Sequence, residues 1–370
     1  MRLILFFSYG VSLNDWKKSG LFEREIKFYK YLKNTKNIDI SFVTYGDNGD
    51  MRYENELEGI HIIPIYSEFK KHKNKVFRIL CSLIYGYRLR KKFRKQKYII
   101  KTNQLWGAWV AIVFKIFSKN TLIVRTGYDL VSFKLRENKS SFKILLYLLL
   151  TQIALIFSKK YTVTSNEDKA FLYSKKFIHK NKITVIPNWI DTKEIDLPER
   201  KKGYISIGRF EKQKNFKMLI ETFAEINKEI TLIGEGSLKK DLEKLSDSLD
   251  ANINFLGILN NDDVLNLLSE HKYYIHTSYY EGNPKTILEA MSVGCIVIVP
   301  NNPNIEEIVE NNINGLVYDL KKDDLIAVIQ SAEKKDLEVV SKNAISYINQ
   351  NNSLEKILKL EYNIYQEILN

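Results

Sequence analysis

Short apolar segments alternate with amphipathic ones along the whole chain, and this alternation constrains the fold more than any other feature. In the first half, strands are predicted near 3–7, 40–44, 98–101, 122–125, 161–164 and 184–186. Helices are predicted between them, near 21–32, 76–92, 107–117, 142–157 and 167–173. Strands that alternate with helices of this length are typical of βαβ units, in which the strands form a parallel sheet.

The second half repeats the pattern. Strands are predicted near 204–207, 230–233, 254–256, 273–276, 295–299 and 315–317. Asn215 and Asn283 are predicted to cap the helices that follow them, and Gly294 is predicted to end the second of these helices.

A chain of 370 residues exceeds what one hydrophobic core usually supports. We therefore expect an α/β protein with two Rossmann-like, doubly wound domains facing across a cleft. Their predicted limits are 1–187, joined by a C-terminal helix at about 354–370, and 188–353, with a polar linker at 187–202. In such sheets ligands bind beyond the carboxyl ends of the strands, so the loops after strands are the places to look for function.

The charge is unevenly distributed. The net charge is +13, but residues 1–200 hold 38 Lys and Arg against 18 Asp and Glu, whereas the remainder is acidic. This asymmetry indicates an anionic partner for the first half, either nucleic acid or an anionic membrane surface. A solvated helix face in a lysine-rich chain is the simpler alternative.

The longest apolar run, 144–157, has 14 residues and includes Thr151 and Gln152. A membrane-spanning helix needs roughly 20 residues, so this run predicts a core helix or, less favoured, an interfacial helix flanked by lysines. The N-terminus predicts a first strand and not a signal peptide, and Cys81 and Cys295 lack metal-ligand spacing. Together these features predict a cytoplasmic protein without disulfides.

The first loop whose residues could take part in a reaction follows the strand at 204–207. Gly208 permits a tight exit from the strand, and Arg209 and Lys214 could converge at its end. Two fixed cations suit a diphosphate leaving group that no metal neutralises. The alternative is a charged surface turn.

The second loop, 279–291, follows another strand. Pro284 with Asn283 before it predicts a helix start near 284, whose free N–H groups suit phosphate or sugar hydroxyls. Glu281 then lies in front of the helix and Glu289 in its second turn, where both carboxylates could accept hydrogen bonds from one ligand. The alternatives are an exposed loop acid for Glu281 and an i,i+4 partner of Lys285 for Glu289.

Two further strand ends are weaker signals. Gly234 belongs to a Gly-Glu-Gly turn that many α/β proteins share. Gly257 and Ile258 follow a Phe-Leu pair, and their backbone could contact the edge of a base.

In this order the four segments resemble the retaining glycosyltransferases of GT-B architecture, family 4 (group 1) type. Those proteins carry a Gly-Arg…Lys loop, a Gly-x-Gly turn, a Phe-x-Gly strand end and a Glu-x7-Glu segment, and a Pro-Asn-x-Ile-Asp segment like that at 187–191. The resemblance implies that Arg209 and Lys214 hold the donor diphosphate, Glu281 lies at the sugar and Glu289 binds the ribose. The donor residues it implies are Gly208, Arg209, Lys214, Gly234, Gly257, Ile258, Glu281, Gly282, Asn283, Pro284, Lys285, Thr286 and Glu289.

The first half matches less closely. Gly20, in the loop region after the first strand, and Asn103 and Gln104, after a later strand, resemble acceptor-facing positions. Many family members have a histidine at the end of the strand that here leads to Tyr128 and Asp129. Because this chain has none there, one of these two side chains is expected to contact the donor sugar, and Tyr128 is also counted among the acceptor-facing positions.

The resemblance implies a retaining hexosyltransferase that takes its sugar from a nucleotide-diphosphate sugar, with Glu281, Arg209, Lys214 and Asp129 as catalytic candidates. No Asp-x-Asp motif stands at a strand end, so no metal cofactor is expected. The basic half would dock on an anionic membrane, at the inner face of the plasma membrane, to reach a lipid-linked or surface-polysaccharide acceptor.

Two other functions remain open from the sequence. One is nucleic-acid binding, for which no motif of known spacing occurs, and the other is a non-catalytic partner that binds sugar nucleotides.

Overall fold

In a computed structural model that describes residues 1–93, 97–118, 120–127, 141–192 and 202–369, the chain divides into two compact units. Unit 1 comprises Met1–Ile186 and Leu358–Asn370, and unit 2 comprises Pro187–Ile357. Each unit contains one parallel sheet with helices packed on it, which confirms the α/β class.

Unit 1 is built on seven parallel strands. They are β1 (Arg2–Phe6), β2 (Asp39–Thr44), β3 (His61–Pro64), β4 (Ile99–Thr102), β5 (Thr121–Arg125), β6 (Lys160–Val163) and β7 (Ile183–Val185), in the spatial order 3-2-1-4-5-6-7. Strand β1, in the interior of the sheet, is buried from Leu3 to Phe6. A parallel sheet is covered on both faces, which explains why its strands are continuous apolar runs.

The described helices of unit 1 connect these strands. They are α1 (Leu13–Lys18), α2 (Phe22–Lys36), α3 (Ile65–Glu68), α4 (Lys75–Leu89), α5 (Ala108–Ile116), α6 (Ser141–Phe157) and α7 (Asn166–Ser174). Short 3₁₀ helices occur at Asn48–Tyr53, Asn55–Leu57, Arg90–Phe93 and Lys180–Lys182. No helix of the described ranges is long and apolar enough to cross a membrane.

Unit 2 has six parallel strands. They are β8 (Lys202–Ile207), β9 (Ile230–Ile233), β10 (Ile253–Gly257), β11 (His271–Ile275), β12 (Ile296–Pro300) and β13 (Leu316–Tyr318), in the order 10-9-8-11-12-13. Its helices are α8 (Phe216–Glu225), α9 (Lys239–Ser248), α10 (Asn261–Glu270), α11 (Lys285–Ser292), α12 (Pro303–Glu306), α13 (Lys322–Glu333) and α14 (Glu338–Asn351). The order reverses at β8, so the loops after β8 and β11 flank the switch point where ligands bind in such sheets.

The last helix, α15 (Leu354–Leu369), belongs mostly to unit 1. Glu361 on this helix forms a buried ion pair with Lys101 on β4, and the Tyr365 hydroxyl donates to the same carboxylate. Burial lowers the pKa of Lys101, while the charge of Glu361 opposes that shift. The C-terminal helix is therefore fixed to the sheet of unit 1 by a pair of charges as well as by apolar packing.

Asn215 stands at the N-cap position of α8, as predicted, though without a capping side-chain hydrogen bond, and the predicted cap at Asn283 is wrong. Asn215 has a left-handed backbone, with φ of 53°, because it closes a 3₁₀ helix at Lys212–Lys214, and its side chain does not cap α8. Asn283 instead accepts a hydrogen bond from the backbone N–H of Asn188 at 2.9 Å, and α11 begins one residue after Pro284. The predicted glycine end is confirmed, since Gly294 has φ of 74° and Cys295 N–H donates to the Ala290 carbonyl.

The described part of the predicted linker is packed. Ile190 is buried in the core of unit 2, its N–H donates to the Asn352 carbonyl, and its carbonyl accepts from Leu354 N–H. Residues 187–192 are therefore structural parts of unit 2, because backbone pairing and burial fix them. The rest of the predicted linker, 193–201, lies outside the described residues.

Candidate active site

Four loops meet at the carboxyl edge of the sheet in unit 2. The N–H of Gly208, after β8, donates to the Ile233 carbonyl at 3.0 Å, and the N–H of Gly234, after β9, donates to the Gly257 carbonyl at 2.8 Å. The loops after β8, β9 and β10 therefore lie side by side. Three of the loops singled out in the sequence are brought together by the order of their strands.

The glycines of the Gly-Glu-Gly turn make this contact possible. A Cβ on Gly234, whose φ is 148°, would lie 1.9 Å from the Gly208 carbonyl oxygen. A Cβ on Gly236 would lie 2.5 Å from the Phe210 carbonyl oxygen. Neither approach is sterically possible for a larger residue without moving the backbone, so these glycines set the shape of the loop that carries Arg209.

A buried ion pair joins the first loop to the fourth. The Lys214 ammonium lies 2.5 Å from Oε1 of Glu281, and the two side chains are 14% and 8% exposed. They are 67 residues apart in sequence. They meet because β8 and β11 are neighbours in the sheet.

A histidine that the sequence analysis left without a role completes this pair. Nε2 of His276, at the end of β11, lies 3.1 Å from the same Oε1 of Glu281. Its Nδ1 lies 3.1 Å from the Tyr274 hydroxyl, which is 2.9 Å from Oγ1 of Thr286. The result is a hydrogen-bonded chain from Lys214 through Glu281, His276 and Tyr274 to Thr286.

The protonation of this chain follows from burial and charge. Burial by itself would raise the pKa of Glu281, but the Lys214 charge and the His276 hydrogen bond outweigh it and hold that pKa well below its ordinary value. Burial lowers the pKa of His276, and its bond to Glu281 only partly offsets this. Because an ionised carboxylate can only accept, a neutral His276 must carry its proton on Nε2 and accept at Nδ1.

Hydrogen bonds to backbone groups fix the two loops against each other. Oγ1 of Thr277 donates to the Lys214 carbonyl at 2.8 Å, and Nε2 of Gln213 donates to the Tyr280 carbonyl at 2.7 Å. The Tyr318 hydroxyl, from β13, donates to the His276 carbonyl at 2.9 Å. The buried charges are therefore held in place, which preorganises the site.

The other predicted donor residues surround this chain. Arg209 and Ile258 are exposed at the same edge of the sheet. Glu289 is buried in α11. The Nζ atom of Lys285 lies 5.5 Å from the centroid of the Trp189 ring. In the described part of the chain, no side chain caps the start of α11. Gly282 and Pro284 are buried, and Asn283 and Thr286 are partly buried.

The residues predicted to face the acceptor belong to unit 1. Oε1 of Gln104, after β4, accepts from Gly127 N–H, after β5, at 2.8 Å. The neighbouring Asn103 donates from its N–H to the Phe6 carbonyl at 2.8 Å. Gly20, with φ of 69°, lies between α1 and α2 and not directly at a strand end. Tyr128 and Asp129 lie outside the described residues.

Residues 187–350 match the model of the family described as glycosyl transferases group 1. This part of the chain belongs to the group 1 glycosyltransferases. The resemblance seen in the sequence is confirmed.

One curated relative of this chain is the Escherichia coli UDP-Gal:alpha-D-GlcNAc-diphosphoundecaprenol alpha-1,3-galactosyltransferase. It is 29% identical over 224 residues, which are 53% of this chain and 57% of that protein. The chain spans about half the length of the first curated relatives that it matches.

Solved structures resemble this chain over nearly its whole length. Sucrose-phosphate synthase from Thermosynechococcus elongatus is 15% identical with a TM-score of 0.82, over 100% of this chain and 99% of that one. HepE from Anabaena in complex with UDP and glucose is 16% identical with a TM-score of 0.76, over 99% of each chain. At these identities the likeness shows the fold, which is GT-B.

Within this group 1 domain, sequence reasoning missed His276 and Tyr274. Both stand on or just after β11, where the apolar pattern predicts a strand and gives no separate signal for polar side chains. The available clue was a histidine five residues before Glu281, at a strand end. Among the described residues no three His, Cys, Asp or Glu side chains gather in a way that could hold a metal ion.

Proposed function

We propose that the protein is a retaining glycosyltransferase. It transfers a hexose-type sugar from a nucleotide-diphosphate sugar to a lipid-linked or surface-polysaccharide acceptor. Its family supports the transfer reaction, and the relative named as acting on a diphosphoundecaprenol compound supports a lipid-linked acceptor. The likeness to a structure that contains UDP and glucose supports a nucleotide-sugar donor.

The observation that carries this proposal is the buried chain of Lys214, Glu281 and His276 beside the Gly208 loop. A buried carboxylate kept ionised by a cation and a neutral histidine is a fixed pattern of charge. Such a pattern stabilises charge that develops during a reaction, because no reorganisation is needed at the moment of reaction.

The cations are assigned to the departing nucleotide diphosphate. Arg209 is exposed at the edge and can form two parallel hydrogen bonds to phosphate oxygens. Lys214 has three ammonium protons, so it can keep Glu281 as a partner and still donate to a phosphate oxygen. Together they would offset the negative charge that builds up as the bond from the anomeric carbon to the diphosphate breaks.

The carboxylates are assigned to hydroxyl groups of the donor. Glu281 would accept from sugar hydroxyls through the lone pairs that Lys214 and His276 leave open. Glu289, in the second turn of α11, would accept from the two ribose hydroxyls. The backbone N–H groups of Gly282 and of the first turn of α11 would complete the sugar and phosphate contacts.

The remaining parts of the proposal concern unit 1 and the reaction conditions. Asp129 or Tyr128 would contact the donor sugar, and Gly20, Asn103 and Gln104 would lie toward the acceptor. The reaction would need no metal, and the basic unit 1 would bring the protein to the inner face of an anionic plasma membrane.

Nucleotide release from a panel of UDP-, GDP- and ADP-sugars tests this function. We expect release from one donor class, with the product keeping the anomeric configuration of the donor by NMR, and with no loss of rate in EDTA. Arg209→Ala and Glu281→Ala should each lose about 2–3 kcal/mol of transition-state stabilisation, as expected for one charge-stabilising contact. Lys217→Ala is the control, because Lys217 is exposed three residues from Lys214 and pairs only weakly with Glu221.

Near-wild-type turnover in both Arg209→Ala and Glu281→Ala would show that the donor site is elsewhere. Tight nucleotide binding without release from any donor would favour a non-catalytic sugar-nucleotide-binding protein. Faster release in added Mg²⁺, lost again in EDTA, would contradict the metal-independent mechanism.

A further inference from the structure

Helix α4 exposes most of its large apolar side chains. Its buried residues are Ser82, Tyr85, Gly86 and Leu89. Its exposed face carries six large apolar side chains, each 40–69% exposed, namely Val76, Phe77, Leu80, Leu83, Ile84 and Tyr87. An ordinary surface helix buries its apolar stripe and exposes its polar one, so this helix needs an explanation.

The inner face of α4 is built for close packing. A Cβ on Gly86 would lie 2.5 Å from the Val110 carbonyl oxygen on α5, and Oγ of Ser82 accepts from Nε1 of Trp109 at 2.8 Å. Gly86 and Ser82 therefore let α4 lie close against α5. Helices inside a membrane follow the same rule, with small residues at the helix contact and large apolar ones facing lipid.

Helix α6 also exposes large apolar side chains. It packs against α5, as α4 does, and its exposed residues recur at helical spacing: Phe142, Leu145, Leu146, Leu149 and Ile156. Only part of α6 is buried, around Leu150 and Ala154, so the expectation of a core helix holds for one face and is wrong for the other. The rings of Tyr87 and Phe117, 5.1 Å apart, link α4 to the end of α5.

Basic residues predominate in the sequence of the segments that form this surface. Between Glu68 and Asp129 the chain has 16 Lys and Arg residues and no Asp or Glu, and α6 has a lysine and no acid. Several of the basic side chains are exposed at the ends of the helices: Lys73, Lys75, Arg88, Lys91 and Lys143. A second copy of the chain on this face would bring like charges together, whereas an anionic surface would attract them.

We propose that the outer face of α4 and α6 is a membrane-docking surface that inserts its apolar side chains among the acyl chains of anionic lipids. The inference rests on the proposed function, since it names the surface that would bring unit 1 to a lipid-linked acceptor. The apolar side chains enter the interface and the flanking lysines and arginines bind lipid phosphates, as in interfacial amphipathic helices.

Vesicle flotation of the full chain tests this surface, with phosphatidylcholine vesicles that do or do not contain phosphatidylglycerol. The variant is Val76→Glu, and the chain offers a matched control in Val339→Glu. Both valines are the second residue of a helix, in α4 and α14, and they are 69% and 70% exposed. A glutamate in the first turn suits either helix, so both variants should fold.

We expect binding only to the vesicles with phosphatidylglycerol, and weaker binding at high salt. Val76→Glu should lower the partition about tenfold, and Val76→Glu with Leu80→Glu about a hundredfold, in line with the loss of one and two buried aliphatic side chains. Val339→Glu should bind as the wild type does.

Equal binding by Val76→Glu and the wild type would overturn the inference, as would an equal loss in Val339→Glu. A wild type that sediments as a dimer, with Val76→Glu as a monomer, would show that a second copy covers this face. Nucleotide release without acceptor lipid separates this inference from the proposed function. Vesicle binding without release refutes only the function, and release without vesicle binding refutes only the docking surface.

Discussion

Two buried lysine–glutamate pairs occupy very different places in this protein. Lys101 and Glu361 join a central strand of unit 1 to the C-terminal helix, where both side chains are at most 6% exposed. Lys214 and Glu281 join two loops at the edge of the sheet in unit 2. The same chemical pair thus fastens a helix in one unit and forms part of the candidate active site in the other.

Their surroundings explain the difference. The Lys101 ammonium lies over the rings of Phe28 and Tyr29, and the Tyr365 hydroxyl takes a further lone pair of Glu361. This pair is enclosed by side chains from its own core. Glu281 has a neutral histidine as its second partner, next to the loop that presents the exposed Arg209. A buried pair therefore indicates chemistry only when it lies where a ligand can reach it.

The largest effect should come from breaking the enclosed pair. Lys101→Ala leaves Glu361 charged and buried without its cation, which should lower the free energy of unfolding by about 3–5 kcal/mol. Urea denaturation of the variant and the wild type measures this loss. Lys217→Ala, at an exposed position, should change the free energy of unfolding by less than about 0.5 kcal/mol. A loss below about 1 kcal/mol in Lys101→Ala would mean that the pair does not hold the C-terminal helix.

Neutralising both partners at once should separate the two roles. Lys214→Met with Glu281→Gln should lower turnover at least about a hundredfold, because the fixed charges at the donor site are gone. Lys101→Met with Glu361→Gln should leave turnover near wild type, since replacing a buried pair by neutral side chains of similar volume is often tolerated. In both variants the glutamine still accepts from the neighbour of the lost carboxylate, Tyr365 or His276.

Nucleotide release and urea denaturation of the two double variants check this prediction. Equal losses of turnover in the two double variants would show that the pair at the sheet edge matters no more for catalysis than the enclosed pair. A loss of turnover confined to the unit 1 variant would reverse it.

The smallest effect should be the dependence of stability on pH that His276 of unit 2 contributes. Because the pKa of His276 is lowered in the folded state, the unfolded chain takes up a proton on this residue before the folded one does. Stability should therefore fall as the pH drops below about 6.5, the ordinary value for histidine. His276→Gln should flatten this fall between about pH 7 and pH 5, as measured by urea denaturation at each pH.

The double variant of Lys101 and Glu361 is the control, because it leaves His276 unchanged and should keep the wild-type slope. An identical slope in His276→Gln and the wild type would mean that another group causes the dependence.

Several elements could be predicted from the sequence because local pattern decides them. The apolar run at 3–7 is a strand, and the glycine at 294 ends a helix, as expected. Strand β3 was missed because it has only four residues, ends in Pro64 and lies at the edge of its sheet, so it lacks a long apolar run. Which face of α4 is exposed could not be predicted from the sequence either, because an apolar stripe has the same spacing whether it faces the core or the outside.

The sequence by itself determined the α/β fold and which loops carry Arg209, Lys214, Glu281 and Glu289, because periodicity and strand ends are local properties. Only the tertiary structure decided that Lys214 and Glu281 pair, that His276 completes them, and that Gly234 is required by the Gly208 carbonyl. These contacts join residues far apart in the chain, and strand order sets their distances. The structure likewise decided that α4 turns its apolar face outward, because the small residues on its other face pack against α5.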